Sequence, residues 1–279
     1  MIKIVADSTG YLPEATVRQH DIRIVPLLVR FGEEIFKEGV ELSNEDFYAR
    51  LKTSPTLPVT SQPSAGEFYD VFKELADAGH EIIVLTISSK LSGTWNSAMA
   101  ATGMLPEARI SVIDSLSTSI GLQLMIEAVA EAVAGGATRP EIVEQVEEIK
   151  QKLYVLFAVD TLEYLAKGGR IGNAEAFLGT LLKIKPILAL QDGAIEPLEQ
   201  VRSRRKALAR MLDLIVEYLG DDGSRAKVAI THALVPEEAQ VFKKEITARL
   251  GCSEPSLAEL GAVIGTHTGP GVIGVGVCA

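Results

Sequence analysis

Apolar runs alternate with amphipathic segments over the first half of the chain. The apolar runs 2–6, 22–29, 82–87 and 109–113 predict buried strands, and the segments between them have the spacing or the start signals of helices. Continuous apolar strands separated by helices are typical of a parallel sheet covered on both faces. The pattern therefore predicts a parallel-sheet α/β/α domain over residues 1–152.

Three predicted helix starts share one signature, a hydroxyl residue followed three positions later by an acid. Ser43, Ser64 and Thr138 each stand in this position, and a side-chain oxygen there can accept a hydrogen bond from a free N–H group of the first turn. Helices are expected directly after them. Two further helices are predicted at about 94–102 and 120–134.

The pattern changes near residue 153. Apolar runs at 186–190 and 195–201 flank Asp192-Gly193, and an Asp-Gly pair in this setting predicts a β-hairpin. A hairpin requires antiparallel strands, so we expect an α/β domain with a mixed sheet over residues 153–279. Further strands are predicted at 154–159, 227–231 and 272–277, and further helices at 173–182, 204–219 and 237–250.

Composition excludes several classes of function. The net charge of −10 argues against nucleic acid and anionic membranes as partners, and 5% aromatic residues argues against a base-stacking surface. No run approaches the ~20 apolar residues of a membrane span, and the N-terminus lacks the pattern of a signal peptide. Two cysteines without metal-ligand spacing fit a reducing compartment, so we expect a cytoplasmic protein without a metal.

Polar residues follow three of the predicted strands. Asp7-Ser8-Thr9, the segment 88–97 and Asp114-Ser115 each come directly after an apolar run. Ligands of open α/β sheets bind beyond the carboxyl ends of the strands, although the same residue types also serve as plain helix caps. Three polar ends on one sheet favour a ligand site at that edge.

The segment 88–97, SSKLSGTWNS, is the strongest candidate for this site. It does not match the GxSxG pattern of a nucleophilic serine. A hydroxyl at Ser92, a backbone made accessible by Gly93 and a helix start just beyond are suited to hold an anion. Thr60 and Ser61 precede another helix start and suggest the same chemistry.

The C-terminal segment 269–274 matches GxGxxG, the fingerprint of a dinucleotide site. That fingerprint requires a following helix and an acid about 20 residues later, and the chain ends at Ala279. We therefore interpret these glycines as a turn before a last strand. His267 precedes the turn among hydroxyl and glycine residues, where it is either structural or a hydrogen-bond donor to a ligand or to Ser92.

Basic residues crowd the start of the predicted helix 204–219 in an otherwise acidic chain. The apolar face of that helix faces inward, so the basic residues are expected to face outward, either as solvated charges or as a docking surface for a negative partner. Arg170 lies in a separate glycine-rich loop. The cluster consists of Arg202, Arg204, Arg205, Lys206 and Arg210.

Taken together, these segments resemble the DegV family of bacterial fatty-acid-binding proteins, which includes the FakB proteins. The match extends over the whole chain in order, with one departure at Trp95, where the family more often has tyrosine. The segments that carry the resemblance are DSTGYLP at 7–13, TSQPS at 60–64, SSKLSGTWNSA at 88–98, KGGRIG at 167–172, GTLLKIKPIL at 179–188, VRSRRKA at 201–207 and THTGPGVIG at 266–274.

The resemblance implies two α/β domains that bury a long-chain fatty acid. In FakB members a fatty acid kinase phosphorylates the bound acyl group for phospholipid synthesis, so the resemblance implies a carrier without catalytic residues or cofactor. Positions matching Arg170 and Arg202 would contact the kinase. The positions that would hold the carboxylate are Thr60, Ser61, Ser92 with Gly93, and His267.

Two other functions remain open on the residues alone. A serine-dependent acyl hydrolase would use Ser92 as nucleophile and His267 as base. A lipid-responsive sensor would bind the same ligand and only change its affinity for a partner.

Overall fold

The computed structural model describes residues 1–178, 184–220 and 223–279. Its strands are β1 (Ile2–Asp7), β2 (Arg23–Val25), β3 (Leu28–Phe31), β4 (Glu34–Lys37), β5 (Val59–Ser61), β6 (Glu81–Thr86), β7 (Ile110–Asp114), β8 (Leu153–Ala158), β9 (Lys185–Gln191), β10 (Ala194–Val201), β11 (Lys227–His232), β12 (Ser256–Glu259) and β13 (Ile273–Cys278). Its helices are α1 (Glu14–Gln19), α2 (Asn44–Thr53), α3 (Ala65–Asp77), α4 (Thr94–Gly103), α5 (Ser119–Ala134), α6 (Arg139–Lys152), α7 (Glu163–Lys167), α8 (Arg204–Leu219), α9 (Pro236–Leu250) and α10 (Ala262–Thr268). Within these ranges, none of the helices is long and apolar enough to cross a membrane.

The first sheet is parallel, with the strand order β2-β1-β6-β7. Its strands are apolar because helices cover both faces: α5 and α6 bury one cluster of side chains, and α3 and α4 bury another. The predicted parallel α/β/α architecture of the first part of the chain is confirmed.

The predicted strand 22–29 is wrong as a single element. Pro26 has no backbone N–H to donate to a ladder, and the chain leaves the parallel sheet after Val25. It resumes as β3, which pairs antiparallel with β4 and β5 in a separate sheet of order β4-β3-β5. This small sheet was not predicted, because strands of three or four residues are too short to show a period.

The third sheet is mixed, as predicted, with the order β10-β9-β8-β13-β11-β12. Its neighbours are antiparallel apart from β11 and β12. The predicted hairpin joins β9 to β10 through Asp192 and Gly193, whose positive φ angles of 47° and 81° belong to the turn that matches strand twist. Helices α8 and α9 cover one face of this sheet.

Helix α5 packs between the parallel sheet and the mixed sheet. Its residues contact β1 and β6 on one side and β8, β11 and β13 on the other. Gly274 and Gly276 permit the close approach, because a Cβ atom at either position would lie within 3.4 Å of the Ile120 side chain. The N-terminus of α5 therefore lies between the two sheets. A domain boundary between residues 152 and 153 stays a prediction.

One further expectation differs from the structure. The predicted helix 173–182 is a 3-10 segment at Gly172–Phe177, and residues 179–183 lie outside the described residues. His267 lies in the short helix α10, whose last residue precedes the predicted Gly269-Pro270-Gly271 turn. Gly269 and Gly271 both have positive φ angles, as a turn at this point requires.

The capping box at Ser64 gives a test of the local structure. Ser64 Oγ accepts from the Glu67 N–H at 3.2 Å, and the Glu67 carboxylate accepts from the Ser64 N–H at 2.9 Å. We expect Ser64→Ala to lower the free energy of unfolding by about 1 kcal/mol, measured by urea denaturation. The matched control is Ser203→Ala, whose cap bond to Lys206 N is longer at 3.4 Å, so a larger loss there would contradict this account.

Candidate functional site

One cavity is lined by residues of the small sheet, of the mixed sheet and of the helices and segments that connect them. Its apolar walls come from the segment after β6, from α5, α7 and α10, and from β8, β9 and β10. The polar residues that line it are Thr60, Ser61, Gln62, Ser92, Thr118, Ser119, Arg170, Thr231, His267 and Thr268. The apolar residues are Leu27, Ile87, Leu91, Ile120, Val155, Phe157, Leu165, Leu190, Ile195, Leu260, Val263, Ile264 and Val272.

This cavity is the channel of the candidate site. The empty space between its walls, including the open mouth, is about 870 Å³. Ser61 and Gln62 are exposed, whereas Ile120, Val263 and Val272 are buried. The channel thus reaches the surface at the polar residues Ser61 and Gln62 and has mainly apolar walls in the interior, a form that suits a long amphipathic ligand.

The structure brings Thr60 and His267 into direct contact. Thr60 Oγ1 lies 2.7 Å from His267 Nε2, although 207 residues separate them in sequence. Thr60 is held in β5 opposite Val29 of β3, and His267 lies in the last turn of α10. Of the partners considered for His267, Ser92 is therefore not the one it bonds, because α10 directs the imidazole toward Thr60 of the small antiparallel sheet.

His267 is neutral at physiological pH. Burial lowers the pKa of its imidazole to about 4, and the positive charge of Arg170 acts in the same direction. If Nε2 carries the proton, it donates to Thr60 Oγ1, and the Thr60 hydroxyl is then free to donate to an anion. Nδ1 is then the unprotonated nitrogen, which agrees with its lack of a partner among the described residues.

Gly168 makes room for the imidazole. A Cβ atom at this position would lie 2.2 Å from His267 Nδ1, so any larger residue would displace the ring. The KGGRIG segment was predicted as a loop with a basic residue, and its first glycine serves packing against the site. Sequence analysis gave no sign of this role.

Ser92 lines the channel in the turn that precedes α4. Its hydroxyl lies 2.8 Å from Thr94 Oγ1, and the Thr94 N–H donates to Ser92 Oγ at 3.3 Å. Gly93 is the N-cap residue of α4 and does not itself line the channel. A Cβ atom on Gly93 would lie 2.9 Å from Gln62 Nε2, so its missing side chain lets Gln62 approach the mouth.

The aspartates at the strand ends organise loops. Asp7 is buried and accepts from Thr9 and from the Ile87 N–H at 2.6 Å, and burial raises its pKa. Asp114 accepts from the N–H groups of Ser89 and Leu116. Both carboxylates shape the segments that carry channel-lining residues and do not line the channel themselves.

The two arginines of the predicted docking surface occupy different places. Arg170 is half-buried, lines the channel, and donates to the backbone oxygens of Leu91 and Gly168. Arg202 is exposed in the turn between β10 and α8. A docking role for either stays a prediction.

Two residues of the basic cluster form ion pairs with acids of the same chain. Arg204 pairs with Asp160 and Glu238, and Arg210 with Glu199 and Glu217. Acids of the same chain therefore neutralise two of its five cations.

Several polar residues that line the channel are not among the predicted site residues. Gln62 stands in the TSQPS segment, and Thr118 and Ser119 lie at the start of α5, shortly after Asp114 at the end of β7. Thr268 follows His267 in α10. Proximity to a strand end is a usable signal for Thr118 and Ser119, and Gln62 directly follows Thr60 and Ser61 in a segment with the same predicted chemistry.

The lowered pKa of His267 predicts how stability depends on pH. An unfolded histidine binds a proton below about pH 6.5, whereas the folded imidazole stays neutral down to about pH 4. The unfolded state therefore binds more protons between these values, and stability is lost as the pH falls through this window, by up to about 3 kcal/mol. We expect His267→Gln to remove this part of the pH dependence, measured by urea unfolding between pH 4.5 and 7.5.

A control histidine distinguishes this effect from acid unfolding in general. His20→Gln, at the end of α1 and away from the channel, should retain the wild-type slope because His267 is intact. Equal slopes for wild type and His267→Gln would contradict the assignment.

Comparisons with known proteins agree with this architecture. The family model described as "Uncharacterised protein, DegV family" matches residues 1–279. A DegV domain-containing protein from Halalkalibacterium halodurans is 40% identical over 276 residues, which cover 98% of this chain and 97% of that protein.

Two solved structures are similar over nearly their full length. A DegV family protein from Thermus thermophilus, described by its fatty acid binding, has a TM-score of 0.95 at 33% identity and covers 100% of this chain and 99% of its own. A stearic acid-binding protein from Eubacterium ventriosum has a TM-score of 0.94 at 31% identity, with coverage of 100% and 98%. On its sequence and its fold, the chain belongs to the DegV family.

Proposed function

We propose that this protein binds a long-chain fatty acid, with the carboxylate at the polar end of the channel and the tail along its apolar walls. The observation that carries the proposal is the Thr60–His267 hydrogen bond at that polar end. The similar proteins from Thermus thermophilus and Eubacterium ventriosum, described as binding a fatty acid and stearic acid, support the ligand class. The carboxylate ligands we propose are Thr60, Ser61 and Ser92 with the Gly93 turn, and His267 belongs to this site through its hydrogen bond to Thr60.

The acyl tail and the carboxylate of a bound fatty acid would contribute differently to binding. Burial of each CH₂ group contributes about 0.8 kcal/mol, so a long acyl chain supplies on the order of 10 kcal/mol before ordering costs. The carboxylate then needs orientation more than additional affinity. Hydroxyl donors provide that orientation, and a neutral His267 that carries its proton on Nε2 holds the Thr60 hydroxyl with its own proton toward the anion.

We further propose that the bound fatty acid is presented to a fatty acid kinase in the cytoplasm. In that reaction a carboxylate oxygen attacks the γ-phosphorus of ATP, ADP leaves, and an acyl phosphate forms for phospholipid synthesis. The protein is then a carrier and co-substrate. The polar end of the channel lies close to the surface, at the exposed Ser61 and Gln62, where a kinase could reach the carboxylate. Arg170 and Arg202 are the proposed contacts with the kinase.

The hydrogen bonds of the site argue against a serine hydrolase. A nucleophilic serine requires a base within hydrogen-bond reach. The His267 imidazole bonds to Thr60, and the Ser92 hydroxyl bonds to Thr94. We therefore favour the carrier function over the hydrolase function. The absence of a burst of product from an activated palmitoyl ester would agree with the carrier function.

Ligand binding is tested by comparing palmitate with hexadecanol, which has the same chain length but no carboxylate. We expect wild-type protein to bind palmitate more tightly and to carry fatty acid that mass spectrometry detects after solvent extraction. Thr60→Val should lower the affinity for palmitate about tenfold and leave the affinity for hexadecanol nearly unchanged, because the substitution removes one hydrogen bond to a charged group. Thr102→Val, in α4 away from the channel, is the matched control. Failure of wild-type protein to bind palmitate would contradict the proposal.

The kinase step is tested with palmitate-loaded protein, ATP and a bacterial fatty acid kinase, with acyl phosphate trapped as the hydroxamate. We expect Arg202→Ala to lower the rate several-fold at unchanged palmitate affinity, since loss of a surface charge slows association. Arg249→Ala, another exposed arginine, serves as control. Binding of palmitate without any acyl phosphate would instead favour the lipid-responsive sensor.

A further inference from the structure

Helix α10, which carries His267, begins at a residue that cannot cap it. Its N-cap residue is Gly261, which has no side chain. The free N–H groups of its first turn are instead bound by two residues from the other end of the chain. Val263 N donates to Glu38 Oε1 at 2.7 Å, and Ile264 N donates to the Tyr11 hydroxyl oxygen at 3.2 Å.

Glu38 and Tyr11 form one unit. The Tyr11 hydroxyl donates to Glu38 Oε1 at 3.1 Å while it accepts from Ile264. Gly261 is needed for this arrangement, because a Cβ atom there would lie 2.3 Å from Tyr11 Cε1 and 2.6 Å from Glu38 Oε1. Gly261 has no side chain to cap α10, and the same missing side chain leaves space for Glu38 and Tyr11 to cap it.

The second oxygen of Glu38 connects the cap to the small sheet. Glu38 Oε2 accepts from the Ser8 hydroxyl, and Ser8 Oγ in turn accepts from the Leu27 N–H at 3.0 Å. The Glu38 N–H donates to the Leu27 oxygen at 2.9 Å. Glu38 is only 4% exposed, so this carboxyl group is a buried junction between β1, the β3–β4 sheet and α10.

This junction lies between the two halves of the proposed carboxylate site. Thr60 belongs to β5, which pairs with β3, and His267 belongs to α10. The distance between Thr60 and His267 is therefore fixed by how α10 sits against the small sheet. We infer that Glu38 is a positioning residue that caps α10 and so holds His267 within hydrogen-bond distance of Thr60. This inference rests on the proposed fatty acid function.

The positioning role requires an acceptor oxygen and not a negative charge. Glu38 Oε1 accepts hydrogen bonds from the Val263 N–H and from the Tyr11 hydroxyl. Among the described residues, Glu38 Oε2 accepts from the Ser8 hydroxyl. Burial raises the pKa of Glu38 to about 7, so the acid is partly protonated near neutral pH, and a proton on Oε2 leaves Oε1 free to accept. Glutamine can keep the acceptor at Oε1 with its carbonyl oxygen, while its NH₂ group would donate to Ser8 Oγ and so reverse the direction of that bond.

The test compares Glu38→Ala with Glu38→Gln, using palmitate and hexadecanol as probes. We expect Glu38→Ala to lower the affinity for palmitate about tenfold and the affinity for hexadecanol less than about twofold, because only the carboxylate depends on the Thr60–His267 pair. Glu38→Gln should retain palmitate affinity within about threefold. Val146→Ala, a buried substitution in α6 far from α10, controls for lost stability and should change neither ligand.

A double substitution separates positioning from general damage. In a His267→Phe background, Glu38→Ala should cause no further loss of palmitate affinity, since the residue it positions is gone. If Glu38→Ala does not fold, Tyr11→Phe provides the same comparison with a smaller loss, because it removes only the bonds of the hydroxyl.

Three results would overturn the inference. These are unchanged palmitate affinity in the foldable variant, an equal loss for palmitate and hexadecanol, or a loss in Glu38→Gln as large as in Glu38→Ala. Wild-type protein that binds palmitate in any of these cases leaves the proposed function intact. Wild-type protein that fails to bind palmitate ends both.

Discussion

The hydrogen bond between Thr60 and His267 is the contact on which the candidate site depends. It joins a strand of the small antiparallel sheet to the short helix α10 across the polar end of an apolar channel. A buried imidazole is tolerated there because it is neutral and its Nε2 atom has a partner. A neutral histidine and a hydroxyl can orient an anion without introducing a buried positive charge, whose desolvation would be costly.

The architecture explains why the channel lies where it does. Helix α5 separates the parallel sheet from the mixed sheet, and its N-terminus meets the segments that follow β6 and β7. The channel lies beside the N-terminal part of α5, where Ile120 of α5 and apolar residues of the mixed sheet and of α10 line it. Gly276 favours the close packing of α5 on the mixed sheet, because a Cβ atom there would lie 3.3 Å from Ile120 Cγ1.

Two buried acids, Asp7 and Glu38, position segments that line the channel. Asp7 and Glu38 do not line the channel, yet each binds backbone N–H groups of a segment that does. A carboxylate that accepts several such bonds fixes loop geometry more rigidly than a solvent-exposed cap, because no water competes for its oxygens. The cost of burying Glu38 appears as a raised pKa.

The sequence by itself determined the parallel sheet, the capped helices at Ser64 and Thr138, and the Asp192-Gly193 hairpin, because period and turn chemistry are local. It also singled out Thr60, Ser92 and His267 as polar residues in unusual settings. Tertiary structure alone decided that Thr60 meets His267, that Gly168 makes room for the imidazole, and that Gln62 fills the space beside Gly93. Contacts between residues as far apart as Thr60 and His267, 207 positions, leave no periodic trace in the chain, since they depend on how separately formed sheets pack together.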